Sequence, residues 1–95
     1  MHWVYVLENN EGGWYIGYTS DLEKRVKEHQ GGYGSRTTGL KEGWELIYCE
    51  GYLNKADAIG REKFLKGGSG RKYLKKQLFH YLNKLCFLVM FQCFF

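Results

Sequence analysis

The chain has 95 residues, enough for one domain with a modest core and too few for two. Apolar and charged residues are mixed in globular proportion and proline is absent, which excludes a disordered or low-complexity chain. The net charge of +4 is uneven: residues 1–54 carry five Lys/Arg against eight Asp/Glu, and residues 55–95 carry nine against two. So basic a second half suits a polyanion, and it equally suits a solvated basic helix face.

In chain order, HWVYVLE (2–8) is rich in β-branched and aromatic residues and is predicted as a strand. NNEGG (9–13) is a turn, in which Asn and Gly supply positive φ. WYIGYT (14–19) is a second strand, antiparallel to the first because the loop is short. Ser20 and Glu23 have the spacing of a capping box. They open a helix over 21–30 that stops at Gly31-Gly32. Residues 31–43 form a glycine-rich loop. Its Gly34-x4-Gly39 spacing is followed by Leu40-Lys41 and by no helix, which excludes a phosphate-binding P-loop.

WELIYCEGYL (44–53) is a third strand. Asn54 caps a second helix over 55–66 that ends at Gly67-Gly68, and Ser69 caps a third over 70–85. Leu74, Leu78, Leu82 and Leu85 make the apolar stripe of that third helix. The order β-β-α-β-α-α is an α+β fold, a small three-stranded, mainly antiparallel sheet flanked by helices. Residues 1–84 form the domain. Residues 85–95 are an uncharged apolar tail, too short to span a bilayer and able to mediate self-association. The cysteines, Cys49, Cys86 and Cys93, are scattered and form no CxxC pair, so neither a disulfide framework nor a cysteine zinc site is expected. The N-terminus lacks the charge pattern of a signal peptide, and a cytoplasmic location is expected.

A few residues exceed what packing requires. Glu62 shares a helix face with Ala58, Ile59 and Leu65, where a carboxylate costs free energy unless it is paired or binds a metal. Leu22 and Val26 point the first helix at the core, and Arg25 and His29 flank that stripe at the border of core and solvent. Trp3, Tyr5 and Leu7 share a face of the first strand, and Tyr15 and Gly17 a face of the second. Gly17 removes a side chain just before the helix, leaving room for a ligand or a backbone. One chemistry unites these groups. A single glutamate can hold a hard cation such as Mg²⁺ or Mn²⁺ that keeps most of its waters and polarises a phosphodiester. Arg25 suits the charge that develops on the phosphate oxygens, and a tyrosine with His29 beside it can take a proton from water.

These residues resemble the GIY-YIG endonuclease superfamily, in particular its small single-domain bacterial proteins and the N-terminal nuclease domain of the excision-repair nuclease. WVY (3–5) stands where the family has GIY, with Trp3 for the glycine and Val4 for the isoleucine, and YIG (15–17) matches outright. Arg25 stands at the helical arginine and Glu62, in GREKFLK, at the metal-binding glutamate. GRKYLKK (70–76) is similar to the basic segment that closes the small members. The resemblance implies a magnesium-dependent endonuclease acting on DNA, in repair or on mobile DNA, with Tyr5 and Tyr15 in the active centre and one of them activating water. His29 falls where relatives carry His or Tyr. The other reading is a catalytically weak or inactive module that binds nucleic acid through its basic stretch.

Overall fold

The apolar, β-branched core of HWVYVLE becomes the middle strand of a sheet, β1 (His2–Glu8), in which Val4, Tyr5, Val6 and Leu7 are all buried. The computed structural model describes residues 1–31 and 43–83. The expected glycine-rich loop, Leu85 and the tail over 85–95 therefore lie outside the described residues, apart from Gly31 and Gly43 at the loop's ends. β1 pairs antiparallel with β2 (Trp14–Thr19) on one side and with β3 (Glu45–Tyr52) on the other, giving the order β2-β1-β3. Among the described residues the helices are α1 (Leu22–Gln30) between β2 and β3, then α2 (Lys55–Lys66) and α3 (Gly68–Gln77), with a further short helical turn after α3. The architecture is the expected α+β one. Met1–Phe64 forms one compact unit, and a second begins at Leu65.

Register assigns side chains to the two faces. Tyr5 stands opposite Gly17 and Leu7 opposite Tyr15, so these four share one face. Tyr5 and Leu7 form a core cluster there with Trp44, and Tyr15, Leu22 and Val26 pack against it, so α1 lies on this face. Burying residues of this size stabilises the fold by about 1.5–3 kcal/mol each. On the β3 side, Val6 pairs with Tyr48 but Leu7 pairs with Leu46. The skipped residue, Ile47, is a β-bulge that resets the alternation.

The turn between β1 and β2 works differently from expectation. Only Gly12 adopts positive φ, at 82°. Asn9 instead shapes the turn with its side chain, accepting from the backbone N–H of Glu11 at 3.0 Å and of Gly13 at 2.8 Å. The first helix cap is also displaced by one residue. Asp21, not Ser20, has the extended N-cap conformation and accepts from the Lys24 N–H. Thr19 Oγ1 accepts from the Asp21 N–H and holds the chain in that turn. A carboxylate at the helix start also gains from the helix dipole, which a serine does not. Asn54 caps α2 as expected, accepting from Ala56 N–H at 2.8 Å. α3 starts earlier than the Ser69 cap implied: Gly67 is its N-cap, with no side-chain cap. It ends at Leu78, and residues 79–83 are helical again.

The opposite face of the sheet carries a polar brace that the sequence pattern did not reveal. Glu50 stands opposite Val4. It accepts from Arg61 Nε at 2.9 Å and Nη2 at 3.1 Å, and from the hydroxyls of Tyr48 and Tyr52 at 2.5 and 2.7 Å. This ties α2 to β3. Burial would raise the Glu50 carboxyl, but the hydrogen bonds from Arg61, Tyr48 and Tyr52 outweigh it and hold it below its usual value of 4.5. A lowered carboxyl pKa stabilises the fold above the unfolded value, and that contribution is lost as pH falls through the folded one. The denaturation midpoint of the wild type is therefore expected to fall on acidification below about pH 4.5. Glu50→Gln should be less stable at neutral pH by about 1–3 kcal/mol and should respond less in that acid window. Denaturant titrations at several pH values check both.

Candidate active site

The shared face of β1 and β2 sets Tyr5 and Tyr15 side by side, with ring centroids 6.3 Å apart. The last turn of α1 drops His29 onto them. Its ring is 4.7 Å from Tyr15 and 5.8 Å from Tyr5, and its Nε2 lies 2.8 Å from the Tyr5 hydroxyl. Both Tyr5 and His29 are 1% exposed. This corrects the expectation that His29 sits at the border of core and solvent. Four residues past Arg25 it rotates under the helix, and the Tyr5 hydroxyl satisfies a nitrogen that could not otherwise be buried.

The electrostatics of the pair keep both groups neutral at pH 7. Burial pushes the Tyr5 phenol up to about 12, and a negative charge on Tyr15 or Glu62 pushes the same way, against the pull of Arg25. Burial also lowers His29 below its usual value of 6.5, and the Arg25 cation lowers it further, against Glu28. Arg25 favours negative charge on the Tyr5 oxygen. When Nε2 carries no hydrogen, Tyr5 is the donor of the 2.8 Å bond and Nε2 the acceptor.

Gly17 has a different purpose from the one its position suggested. A Cβ there would lie 2.5 Å from the Tyr5 Oη and 3.0 Å from the Tyr15 ring. The space it clears is filled by Tyr5 itself, not left for a ligand. Directly across the strand pair, the missing side chain lets the phenol lie flat on β2 and turn its hydroxyl toward α1.

Arg25 and Glu62 complete the group from two other helical positions. Burial opposes the Arg25 charge, but interactions with the Tyr5 and Tyr15 hydroxyls and with Glu28 outweigh it and hold the guanidinium above its usual value. Glu28 Oε2 is 3.4 Å away. Glu62 is half-buried on α2, near enough to Tyr5 to oppose its ionisation. Tyr15 makes no side-chain hydrogen bond among the described residues. Of the five residues singled out in the sequence, Tyr15, Arg25, His29 and Glu62 thus each act on the fifth, Tyr5. Sequence reasoning missed Trp44, which meets Tyr15 edge-on at 6.4 Å and whose carbonyl accepts from Gln30 Nε2 at 3.1 Å. It also missed Glu28, although its place three residues after Arg25 is a helical ion-pair spacing.

The β2-β1-β3 sheet with its helices is the fold of a GIY-YIG catalytic domain. Residues 1–77 match that domain, and the chain belongs to the GIY-YIG family, a nuclease superfamily whose activity implies nucleic acid as partner. Its relatives include UPF0213 protein YazA of Bacillus subtilis, 40% identical over 65 residues, or 68% of this chain and 66% of that one. UPF0213 protein BH0048 of Halalkalibacterium halodurans is 38% identical over 77 residues, covering 81% and 80%. The solution NMR structure of BH0048 matches 80% of this chain and 83% of its own, with 31% identity and a TM-score of 0.51. Among the described residues no helix is long and apolar enough to cross a membrane.

Gly17→Ala is expected to push Tyr5 off His29 and to lower stability by about 1–3 kcal/mol, the usual range for overpacking. The denaturant midpoint measures the cost. An unchanged midpoint would mean that Tyr5 has room elsewhere.

Proposed function

We propose that this chain is a metal-dependent endonuclease that hydrolyses phosphodiester bonds in DNA. The observation that carries the reading is the buried Tyr5–His29 hydrogen bond, with Arg25 and Glu62 both acting on the same phenol oxygen. The excess of cations after residue 54 supports a polyanionic substrate.

A phenol pushed up to about 12 is a poor base alone. It becomes a relay when its own hydrogen has somewhere to go. As water attacks phosphorus, the Tyr5 oxygen takes the water's proton while the Tyr5 hydrogen passes to His29 Nε2. The P–O bond to the leaving strand end breaks, and that oxygen is protonated from solvent. Arg25 presents its planar fork to the non-bridging oxygens, where negative charge builds up. The Tyr15 hydroxyl orients the phosphate, and its ring holds His29 in place.

Glu62 is the residue that would hold Mg²⁺ or Mn²⁺. Its surroundings suit such an ion: it is one hard, half-buried carboxylate, close enough to the Tyr5 phenol to act on its ionisation. When bound, the ion supplies charge neutralisation at the phosphate.

Two measurements test the reading. Wild type and Glu62→Ala are compared on supercoiled plasmid, branched DNA, single strands and RNA with Mg²⁺ or Mn²⁺. Wild type should cut DNA, and the variant should lose metal-dependent cleavage while keeping its fold. Equal cleavage by both would remove Glu62 from the chemistry, and binding without cleavage by either would make the chain a binding module. The second measurement is the pH profile. His29 must be neutral to accept, so cleavage should rise with pH through an apparent pKa below 6.5. Tyr5→Phe should cut slower by about 10²–10⁴-fold.

A further inference from the structure

We propose that the exposed basic arc of α3, formed by Arg71, Lys72, Lys75 and Lys76, docks the phosphate backbone of duplex nucleic acid. This rests on the reading of the chain as a nucleic-acid protein and does not require that it cut.

Helical spacing makes the arc. Arg71 with Lys75, and Lys72 with Lys76, are four apart, so two pairs of cations stand one turn apart, about 6 Å along the axis. All four are exposed, whereas Gly70 and Leu74 on the same helix are buried. Among the described residues this charge is uncompensated. In the unit that holds the sheet, Lys27 pairs with Glu23, Arg25 with Glu28 and Arg61 with Glu50. None of the four α3 cations makes an ion pair among the described residues, and no Asp or Glu occurs after Glu62 in the whole chain.

Helix stability does not account for this arrangement. Lys75 and Lys76 lie in the last turn, where the helix dipole favours cations. Arg71 closes the first turn, where the dipole disfavours a cation, and that turn has no acidic residue. A row of like charges that repels itself, with Arg71 also set against the dipole, is stabilised by an external polyanion. The composition of the arc favours a duplex. Single strands are held by stacking bases on aromatic rings, and this arc contains none, Tyr73 falling beyond its edge. A duplex offers a regular line of phosphates and needs only point charges.

The test uses the full chain with EDTA, so that binding is read without cleavage. Anisotropy of labelled duplex DNA, duplex RNA of the same sequence, single-stranded DNA and anionic phospholipid vesicles is followed from about 50 to 200 mM salt. The variants are Arg71→Gln/Lys75→Gln, the four-fold Gln variant and, as control, Lys24→Gln/Lys27→Gln on α1. The plot of log affinity against log salt should flatten by about 0.9 per cation removed, so by nearly 2 in the pair and up to nearly 4 in the four-fold variant. The control should lose less than the pair. Loss on duplex DNA alone, or on both duplexes, supports the proposal and identifies the duplex. An unchanged slope in folded variants overturns it, as does a loss confined to single strands or to vesicles. If wild type cuts DNA but the slope is unchanged, the docking face falls and the nuclease reading stands. If the slope flattens and nothing is cut, the reverse holds.

Discussion

A single hydrogen bond, from the Tyr5 hydroxyl to His29 Nε2 in the interior of a small domain, constrains the rest of the site. Buried polar groups need partners, and leaving either of these unpaired would cost about 1–3 kcal/mol. The bond therefore ties the middle strand to the last turn of α1. Other features serve it. Gly17 lies across from Tyr5 so that the phenol can lie on β2. Tyr15 closes against the imidazole, and Trp44 meets the Tyr15 ring edge-on. Asp21 starts α1 at the residue that brings position 29 under the helix.

The same burial that makes the bond obligatory sets its chemistry. Removing water from a phenol and an imidazole disfavours the charged form of each, so Tyr5 stays protonated and His29 stays neutral. Neither is then a strong base on its own. In the proposed reaction the two pass a proton along together, and the charge that would form on His29 meets the opposing Arg25 cation and the favourable Glu28 carboxylate. Arg25 acts on the Tyr5 oxygen, and in the proposed reaction the same guanidinium would meet an incoming phosphate. The proposed chemistry would use the same atoms that pack the core, which is economical in so short a chain.

Much of this is legible in the sequence, for reasons that can be named. Strand periodicity puts Tyr5 and Leu7 on one face, and Tyr15 and Gly17 on another face that the antiparallel turn makes common to both. Helical periodicity puts Arg25 and His29 on one side of α1 and Glu62 on the apolar side of α2. Spacing carries direction but not depth, so it places His29 at the border, whereas the residue lies in the core. A glycine in a strand signals a close approach without naming what approaches. The position of Gly17 suggests a ligand, and its neighbour is Tyr5. The Glu50 brace joins residues 48, 50, 52 and 61, from a strand and a helix whose relation no local pattern encodes. The bulge at Ile47 and the start of α3 at Gly68 depend on backbone geometry that several residue types satisfy.

The relay through Tyr5 rests on His29 being a neutral acceptor at Nε2. Imidazole nitrogen chemical shifts of His29, followed by NMR from acid to neutral pH, report this directly. The expected result is a ring that is neutral at pH 7, protonated at Nδ1, and titrates below 6.5. An imidazolium at pH 7, or a neutral ring carrying its hydrogen on Nε2, would contradict the relay.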